Sequence, residues 1–491
     1  MPDPSGVRVR FAPSPTGDFH IGSARTALYN YLFARHEKGT FVLRIEDTDR
    51  TRNTPEALEA VYGSLKWLGF GWDEGPYFQS QRIDIYKAAA EKLLTTGRAF
   101  HRDDPAKGKC VVFKIDRERV EWNDAIHGPI GRDISQEPDP VILKSDGFPT
   151  YNFACVVDDV DMKITHVIRG EDHVSNTPKQ ISLYRALGAT PPVFAHIPLV
   201  LYPGGKKMSK RHKMESQSLK VSESKSLGVE GSRTPELLNS RTPKLPDSQT
   251  PGLQDFLDLM PSTSVMDYRK KGYLPEALAN FIALLGWSPG DNREVMPLDE
   301  MIARFTLDRV NARGAQFDVK KLDWLNGEYL RKMPLDTLVE KTRPFLDAAY
   351  DMAAVPPEKV REAVRIEQER LKTFGDIVPA TKFLFADEIA YDGKAVKKFL
   401  TPESLAILGE FGRVLGNLPE FTPDRIHAAL EEFAREKSLE LKHIAQPLRV
   451  AVTGGTVSPP IHETLALLGK ETVRARLEKA RGAAASGGAT C

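Results

Sequence analysis

The sequence predicts an α/β chain: a doubly wound parallel sheet in its N-terminal part, carrying a small α+β insertion, and an all-helical C-terminal part. Three features predict it. The first 46 residues switch from strand to helix to strand period, strand and loop return near residue 190, and helical apolar spacing runs unbroken from about residue 265. Val7, Val9 and Phe11 alternate with Arg8 and Arg10, as in a strand, and PSPTG breaks the pattern. Ala24, Ala27, Leu28, Tyr31 and Leu32 then recur at helical spacing until Lys38-Gly39 stops the helix. TFVLRIE reads as a second strand entering the acidic EDTDR, and two strands flanking a helix make a parallel βαβ unit. Residues 55–99 read as helical apart from a glycine-rich break, GFGWDEGP. Short β-like runs, CVVFKI and PVILKS, lie among Gly-Pro turns and mark 101–149 as the insertion. ATPPVFAHIPLVLYPGG completes a second parallel half, so the doubly wound domain comprises 1–100 and 150–212. LPEALANFIALLGW, FDVKKLDWLNGEYL and LDTLVEKTRPFLDAAY place helical regions at 263–330 and 331–491.

Between them, residues 232–255 repeat SRTPELLN, SRTPKLPD and SQTPGLQD. A proline in every eight residues suits neither helix nor sheet interior, and so few leucines bury too little surface to offset ordering entropy. The reading for 213–262 is a low-complexity, disordered insertion, with a docking or modification tract as its functional alternative.

Composition bounds the function. The 491 residues are 41% hydrophobic and 27% charged, ordinary for a folded chain of several domains, and a net charge of +1 makes no global case for nucleic acid or membrane. Cys110, Cys155 and Cys491 are too few and too scattered for a disulfide framework or a four-cysteine zinc site. The N-terminus MPDPSGVRVRF has no apolar signal core, and no apolar run reaches 18 residues, so the expectation is a cytoplasmic protein without a membrane.

Two constellations carry chemistry. Arg10, Ser14, Thr16, Gly17, His20 and Gly22 cluster where the first strand turns into the first helix, a junction whose free N–H groups and dipole favour an anion. An ordinary βα loop with a surface histidine would read the same way. The spacing is neither a GxGxxG fingerprint nor a P-loop. Lys207, Ser209, Lys210 and Arg211 form the second group, in a glycine-flanked loop where mobile cations can clamp a polyphosphate as charge shifts to its leaving group. A solvated basic loop is the bland alternative. Placed after strands of the two halves, the motifs converge on one crevice at the carboxyl ends of the sheet.

FAPSPTGDFHIGSARTALYNYLFARH and FVLRIEDTDR resemble the bacterial glutamyl-tRNA synthetases of the class I aminoacyl-tRNA synthetase family, over residues 7–100, 109–212 and 263 to about 478. His20, Ile21, Gly22 and Ser23 match the family's His-Ile-Gly-His-type signature with Ser in the last place. Lys207 to Arg211 match its KMSKS-type loop, and GFPTYNFACVVDDVDMKITHVIRGEDHVSNTPKQ matches the stretch that encloses amino acid and ATP. The resemblance implies a Rossmann-type catalytic domain, an acceptor-end-binding insertion at 101–149, a connecting domain at 263–330 and an anticodon-binding domain at 331–491. It implies an AMP-forming ligase for L-glutamate and tRNA(Glu), using ATP with Mg2+ as substrate, with no zinc expected and a monomer as the working unit. His20, Gly22, Lys207 and Lys210 would be catalytic, and Thr16, Gly17, His20, Gly22, Ser209, Lys210 and Arg211 would bind ATP. Arg10, Ser14, Glu46, Tyr151 and Arg169 would bind glutamate, whose two carboxylates call for guanidinium forks and whose ammonium calls for an acid. The other reading of Arg10 and Glu46 is a strand-end ion pair. Asp47, Asp49 and Arg50 shape their loop, and Cys155 only packs.

This sequence departs from the family twice. Its 101–149 insertion is short and lacks a cysteine-rich zinc knuckle, and some 50 residues interrupt the chain after His212. Those departures keep a catalytically impaired tRNA-binding paralogue in view. A glutamyl-queuosine tRNA synthetase-like enzyme resembles the catalytic half alone.

Overall fold

The computed structural model describes residues 6–49, 51–104, 108–203, 205, 208, 261–386 and 388–485. They fall into two compact units, Met1–Lys270 with Leu274–Leu325, and Lys271–Tyr273 with Asn326–Cys491.

In the first unit, strand β1 (Arg8–Phe11) pairs in parallel with β2 (Thr40–Ile45), and β2 with β3 (Glu74–Phe78). A second sheet runs in the order β7 (Gly128–Asp133), β6 (Arg119–Asp124), β10 (Val193–Ile197), β9 (His166–Gly170). The sheets meet edge to edge, since the N–H of Thr165, just before β9, donates to the carbonyl of Arg8 at 2.9 Å. The strand order therefore reverses between β1 and β9, where the carboxyl ends of the strands leave a crevice.

Helices cover both faces. Successive strand residues point to opposite sides, and Phe41 meets Tyr31 of helix α1 (Ile21–His36) at a ring separation of 6.0 Å. Its neighbour Val42 instead joins a core with Tyr86 of α3 (Ile83–Thr95), Phe153 of α4 (Tyr151–Asp161) and Ile181 of α5 (Thr177–Ala186). Helix α1 ends as Lys38 enters the left-handed region at φ 52, and Gly39 lies so near Val7 that a Cβ would sit 2.2 Å from its carbonyl oxygen. Only glycine fits that approach.

Three strands escape the periodicity reading. β3 is the sequence EGPYF, inside the expected glycine-rich break, with no apolar alternation to announce it. β6 and β7 form an antiparallel hairpin within 101–149, yet β6 joins β10 in the second sheet, while β4 (Ala99–Asp104), β5 (Gly108–Phe113) and β8 (Val141–Leu143) make a separate three-stranded sheet. The disordered reading of 213–262 needs correcting at its end. Residues 213–260 lie outside the described residues, but Pro261 is buried, and the Ser262 hydroxyl donates to Asp267 at 2.5 Å while its carbonyl accepts from the Tyr268 hydroxyl at 2.9 Å.

The second unit is helical throughout its described residues, with Phe411, Phe433, Ile444, Leu448 and Leu465 in its core. Its capping follows simple rules. Thr401 precedes a proline at the first helical position and accepts the N–H of Ser404, satisfying an otherwise orphaned donor. The helix Val319–Lys332 runs through residue 330, and the units part within it. No helix among the described residues is long and apolar enough to cross a membrane.

Glu367 is 1% exposed in this unit, and burial pushes its carboxyl up to about 7 against the nearby Arg370. The folded state therefore holds a proton that the unfolded chain loses above about pH 4.3, so stability falls as pH rises towards 7, by up to roughly 3 kcal/mol. Glu367→Gln should melt with the native chain at pH 5 and several degrees above it at pH 8. Parallel melting curves at both pH values would refute this.

Candidate active site

A cleft of about 750 Å³ opens at the crevice between β1 and β9. Arg10 reaches it from the carboxyl half of β1, Ser14 from the following loop, Glu46 from the end of β2, Tyr151 from the first turn of α4 and Arg169 from β9. His20 and Gly22 face it from the start of α1. All five expected glutamate residues and these two are brought together. Thr16 and Gly17 are not among the lining residues; Gly17 turns the chain at φ 136, and Thr16 donates its N–H to the carbonyl of Ser14 at 2.9 Å. Met208 lines the cleft, whereas Lys207, Ser209, Lys210 and Arg211 lie outside the described residues.

The N-terminus of α1 is built as a cradle. His20 occupies the cap position with extended backbone (φ −85°, ψ 157°), and the Ile21 N–H is taken by the carbonyl of Thr263 at 2.9 Å. A side chain at Gly22 would meet nothing within 4 Å, so the fold itself does not demand glycine there. That bare backbone is the approach an anionic group needs at a helix start.

The floor of the cleft is a buried charge network. Arg10, Arg44, Glu46, Asp158, Asp159 and Arg169 are each at most 6% exposed. Asp159 accepts from Arg10 Nε at 3.1 Å, Arg44 Nη1 at 2.6 Å and the Tyr184 hydroxyl at 3.2 Å. Asp158 accepts from Arg82 Nε at 2.8 Å, Gln79 at 2.9 Å and the Tyr86 hydroxyl at 2.9 Å. Glu46 accepts from Arg44 Nη2 at 3.3 Å and from the Cys155 thiol at 3.1 Å. Burial alone would raise Asp159, but Arg10 and Arg44 outweigh it and hold the carboxyl below its ordinary value. At Glu46 burial wins over Arg44 and the thiol, so its pKa is raised. Arg10 is thus bound to Asp159, and the ion pair of Glu46 is with Arg44.

Arg10, Arg44 and Arg82 are paired here with the carboxylates of Glu46, Asp158, Asp159 and Asp161. Arg169 has no ion pair among them. Its hydrogen bonds go to neutral groups: His196 Nε2 at 3.1 Å, Gln180 Oε1 at 2.8 Å, Thr177 Oγ1 at 2.9 Å and the His173 carbonyl at 3.4 Å. Burial depresses its pKa below the usual arginine value. A buried cation with only neutral hydrogen-bond partners can take an anion.

The family can now be placed. The catalytic-domain model of the class I tRNA synthetases (E and Q) matches residues 6–108, 102–231 and 258–324, and an anticodon-binding-domain model matches 337–481. The glutamate–tRNA ligase of Thermodesulfovibrio yellowstonii is 39% identical over 96% of this chain and 99% of its own length. The chain belongs to the glutamate–tRNA ligase family. Another relative, the glutamate–tRNA ligase of Methylacidiphilum infernorum, is also 39% identical, over 97% of this chain and 98% of its own. A solved glutamate tRNA ligase from Elizabethkingia meningosepticum, in complex with its amino acid, superposes with a TM-score of 0.78 at 32% identity, covering 96% of this chain and 99% of that one. The fold is accordingly a class I catalytic domain built on a parallel sheet, followed by a helical anticodon-binding domain. This chain carries both, unlike the catalytic half alone that the queuosine-type alternative required.

Arg44, Asp158 and Asp159 escaped the motif reading, although each stands as a charge inside an apolar run, in FVLRIE and YNFACVVDDVDM. Arg25 was missed too. It is 4% exposed, lines the cleft and donates to the carbonyls of Pro198 and Leu285, holding the turn after β10 in place. Asp47 is bound to Ser80 and Asp49 to Thr51 and Arg52, which is loop-shaping work; Arg50 lies outside the described residues.

Proposed function

We propose that this chain joins L-glutamate to tRNA(Glu) in two steps. An oxygen of the glutamate α-carboxylate attacks the α-phosphorus of ATP and pyrophosphate leaves. A terminal ribose hydroxyl of tRNA then attacks the resulting acyl carbon and AMP leaves. The observation that carries this reading is the cleft that puts two buried guanidiniums, Arg10 and Arg169, opposite the buried acid Glu46, beside the bare start of α1. The α-carboxylate must stay free to react, so Arg169, in the floor, holds the side-chain carboxylate, with Tyr151 and Ser14 as hydroxyl donors. Glu46 receives the ammonium, whose charge favours the ionised carboxylate that burial opposes. His20 and the Gly22 backbone cradle phosphates, Thr16 and Gly17 shape that loop, and Lys207, Ser209, Lys210 and Arg211 close on the triphosphate. Mg2+ arrives with the nucleotide and is held by its phosphates, neutralising their charge. No covalent enzyme intermediate is needed, so positioning and preorganised charge carry the rate.

ATP–pyrophosphate exchange tests this. Exchange should require L-glutamate, and tRNA(Glu) should be charged; no exchange with glutamate, ATP and tRNA all present would refute the reading. Within it, Lys210→Ala should lower the exchange kcat by about 100-fold or more while changing ATP affinity little, because the cation acts as charge moves onto pyrophosphate. An unchanged kcat would remove Lys210 from the mechanism.

A further inference from the structure

Behind Arg169, away from the cleft, lie two groups that the reaction as described does not use. His196, at the end of β10, is 0% exposed and Asp124, at the end of β6, is 1% exposed, so neither reaches a substrate. His196 Nε2 faces Arg169 Nε at 3.1 Å, and His196 Nδ1 faces Asp124 Oδ2 at 2.5 Å. A guanidinium N–H can only donate, so the nitrogen opposite it must carry a lone pair. The ring proton is therefore on Nδ1 and is donated to Asp124. The Thr177 oxygen, 3.2 Å from the same Nε2, accepts from Arg169 Nη2 at 2.9 Å, and its hydroxyl proton faces the His173 carbonyl at 3.5 Å. Asp124 is itself fixed by the backbone N–H groups of Ile126 at 3.0 Å, His127 at 3.1 Å and His196 at 3.2 Å.

We infer that Asp124 and His196 are positioning residues for glutamate recognition: Asp124 locks His196 in the Nδ1–H tautomer, and the lone pair so presented on Nε2 holds Arg169 by its Nε–H for the substrate carboxylate. This rests on the reading that Arg169 binds that carboxylate. These bonds occupy four of the five guanidinium N–H groups, leaving one on Nη1. The arrangement also places the counter-charge at one remove. A carboxylate directly on Arg169 would compete with the substrate for the guanidinium, whereas Asp124 balances its charge through a neutral ring and leaves the remaining Nη1 N–H available. Burial lowers the pKa of His196, which agrees with a neutral ring between an anion and a cation.

The test separates positioning from bulk structure. Asp124→Asn keeps an oxygen for the three backbone N–H groups but turns a donor toward His196 Nδ1. The ring proton must then move to Nε2, where it opposes Arg169. The glutamate KM should rise about tenfold or more, with the ATP KM within about twofold of the native value. His196→Asn, whose short amide still meets Asp124 but not Arg169, should do the same. His196→Gln, whose amide oxygen reaches the place of Nε2, should restore most of the loss. In an Arg169→Ala background, Asp124→Asn should add no further rise. Side-chain 15N shifts of the full native chain should show His196 protonated on Nδ1 alone, a measurement that needs no variant to fold. An Nε2–H ring or an imidazolium in the native enzyme overturns the inference, as do equal changes in glutamate and ATP KM. An impaired Arg169→Ala with unaffected Asp124→Asn and His196→Asn overturns it while sparing the function. An unaffected Arg169→Ala overturns both.

Discussion

Arg169→Ala is expected to lower kcat/KM for glutamate by roughly 2 to 5 kcal/mol, about 30-fold to several thousandfold, almost all of it in KM. The ATP KM should stay near its native value. The reason is the charge balance of the floor. Arg10 already has Asp159, Arg44 has Asp158, Asp159 and Glu46, and Arg82 has Asp158 and Asp161, but Arg169 is bound to neutral acceptors. Removing it takes away a cleft-lining cation that has no ion pair, and a glutamate carboxylate would be desolvated for nothing. The same deletion should not reduce thermal stability much, because a buried guanidinium with neutral partners stabilises the empty fold little. A melting temperature that collapses while the glutamate KM holds would identify Arg169 as structural instead.

Asp159→Ala should do the reverse, destabilising the catalytic unit by roughly 3 to 5 kcal/mol, because it strands the buried Arg10 guanidinium, removes one of three partners of Arg44 and leaves a tyrosine hydroxyl unmatched. Tyr184→Phe, which removes one hydrogen bond to the same carboxylate, should cost about 1 kcal/mol. Asp159 is held below the ordinary carboxylate range, so its contribution is complete above about pH 4 and is lost as pH falls through the lowered value. Thermal melting of the native chain, Asp159→Ala and Tyr184→Phe measures this directly. Equal melting temperatures for the native chain and Asp159→Ala would show that the network does not hold the unit together.

These two residues also mark what the amino-acid order reveals and what it hides. The first βα junction was legible because both periodicities are clean and the loop carries its own punctuation, and Arg10, Glu46, Tyr151 and Arg169 were found through motif resemblance. Asp159 was not. Its role exists only because α4 packs across β1 and β2, which joins positions 149 and 115 residues apart in sequence to Arg10 and Arg44. No local pattern encodes such a pairing, although a charge embedded in an apolar run is a signal that it must have a partner. Strand β3 hid for a different reason: its composition, Glu-Gly-Pro-Tyr-Phe, is set by one close approach, since a Cβ on Gly75 would stand 2.2 Å from the carbonyl of Leu43.

The anchors around the lysine-rich segment have a consequence for engineering. Before it, the Met208 N–H is bonded to the carbonyl of Val200; after it, the Thr263 carbonyl is bonded to Ile21 and the Val265 N–H to Phe19. The returning chain is thus stitched to the start of α1 by backbone bonds that side-chain substitutions other than proline leave in place. A cargo domain inserted between positions 213 and 260 would leave both sets of stitches within continuous chain. Each side of the insertion would still be held to the fold by its own bonds.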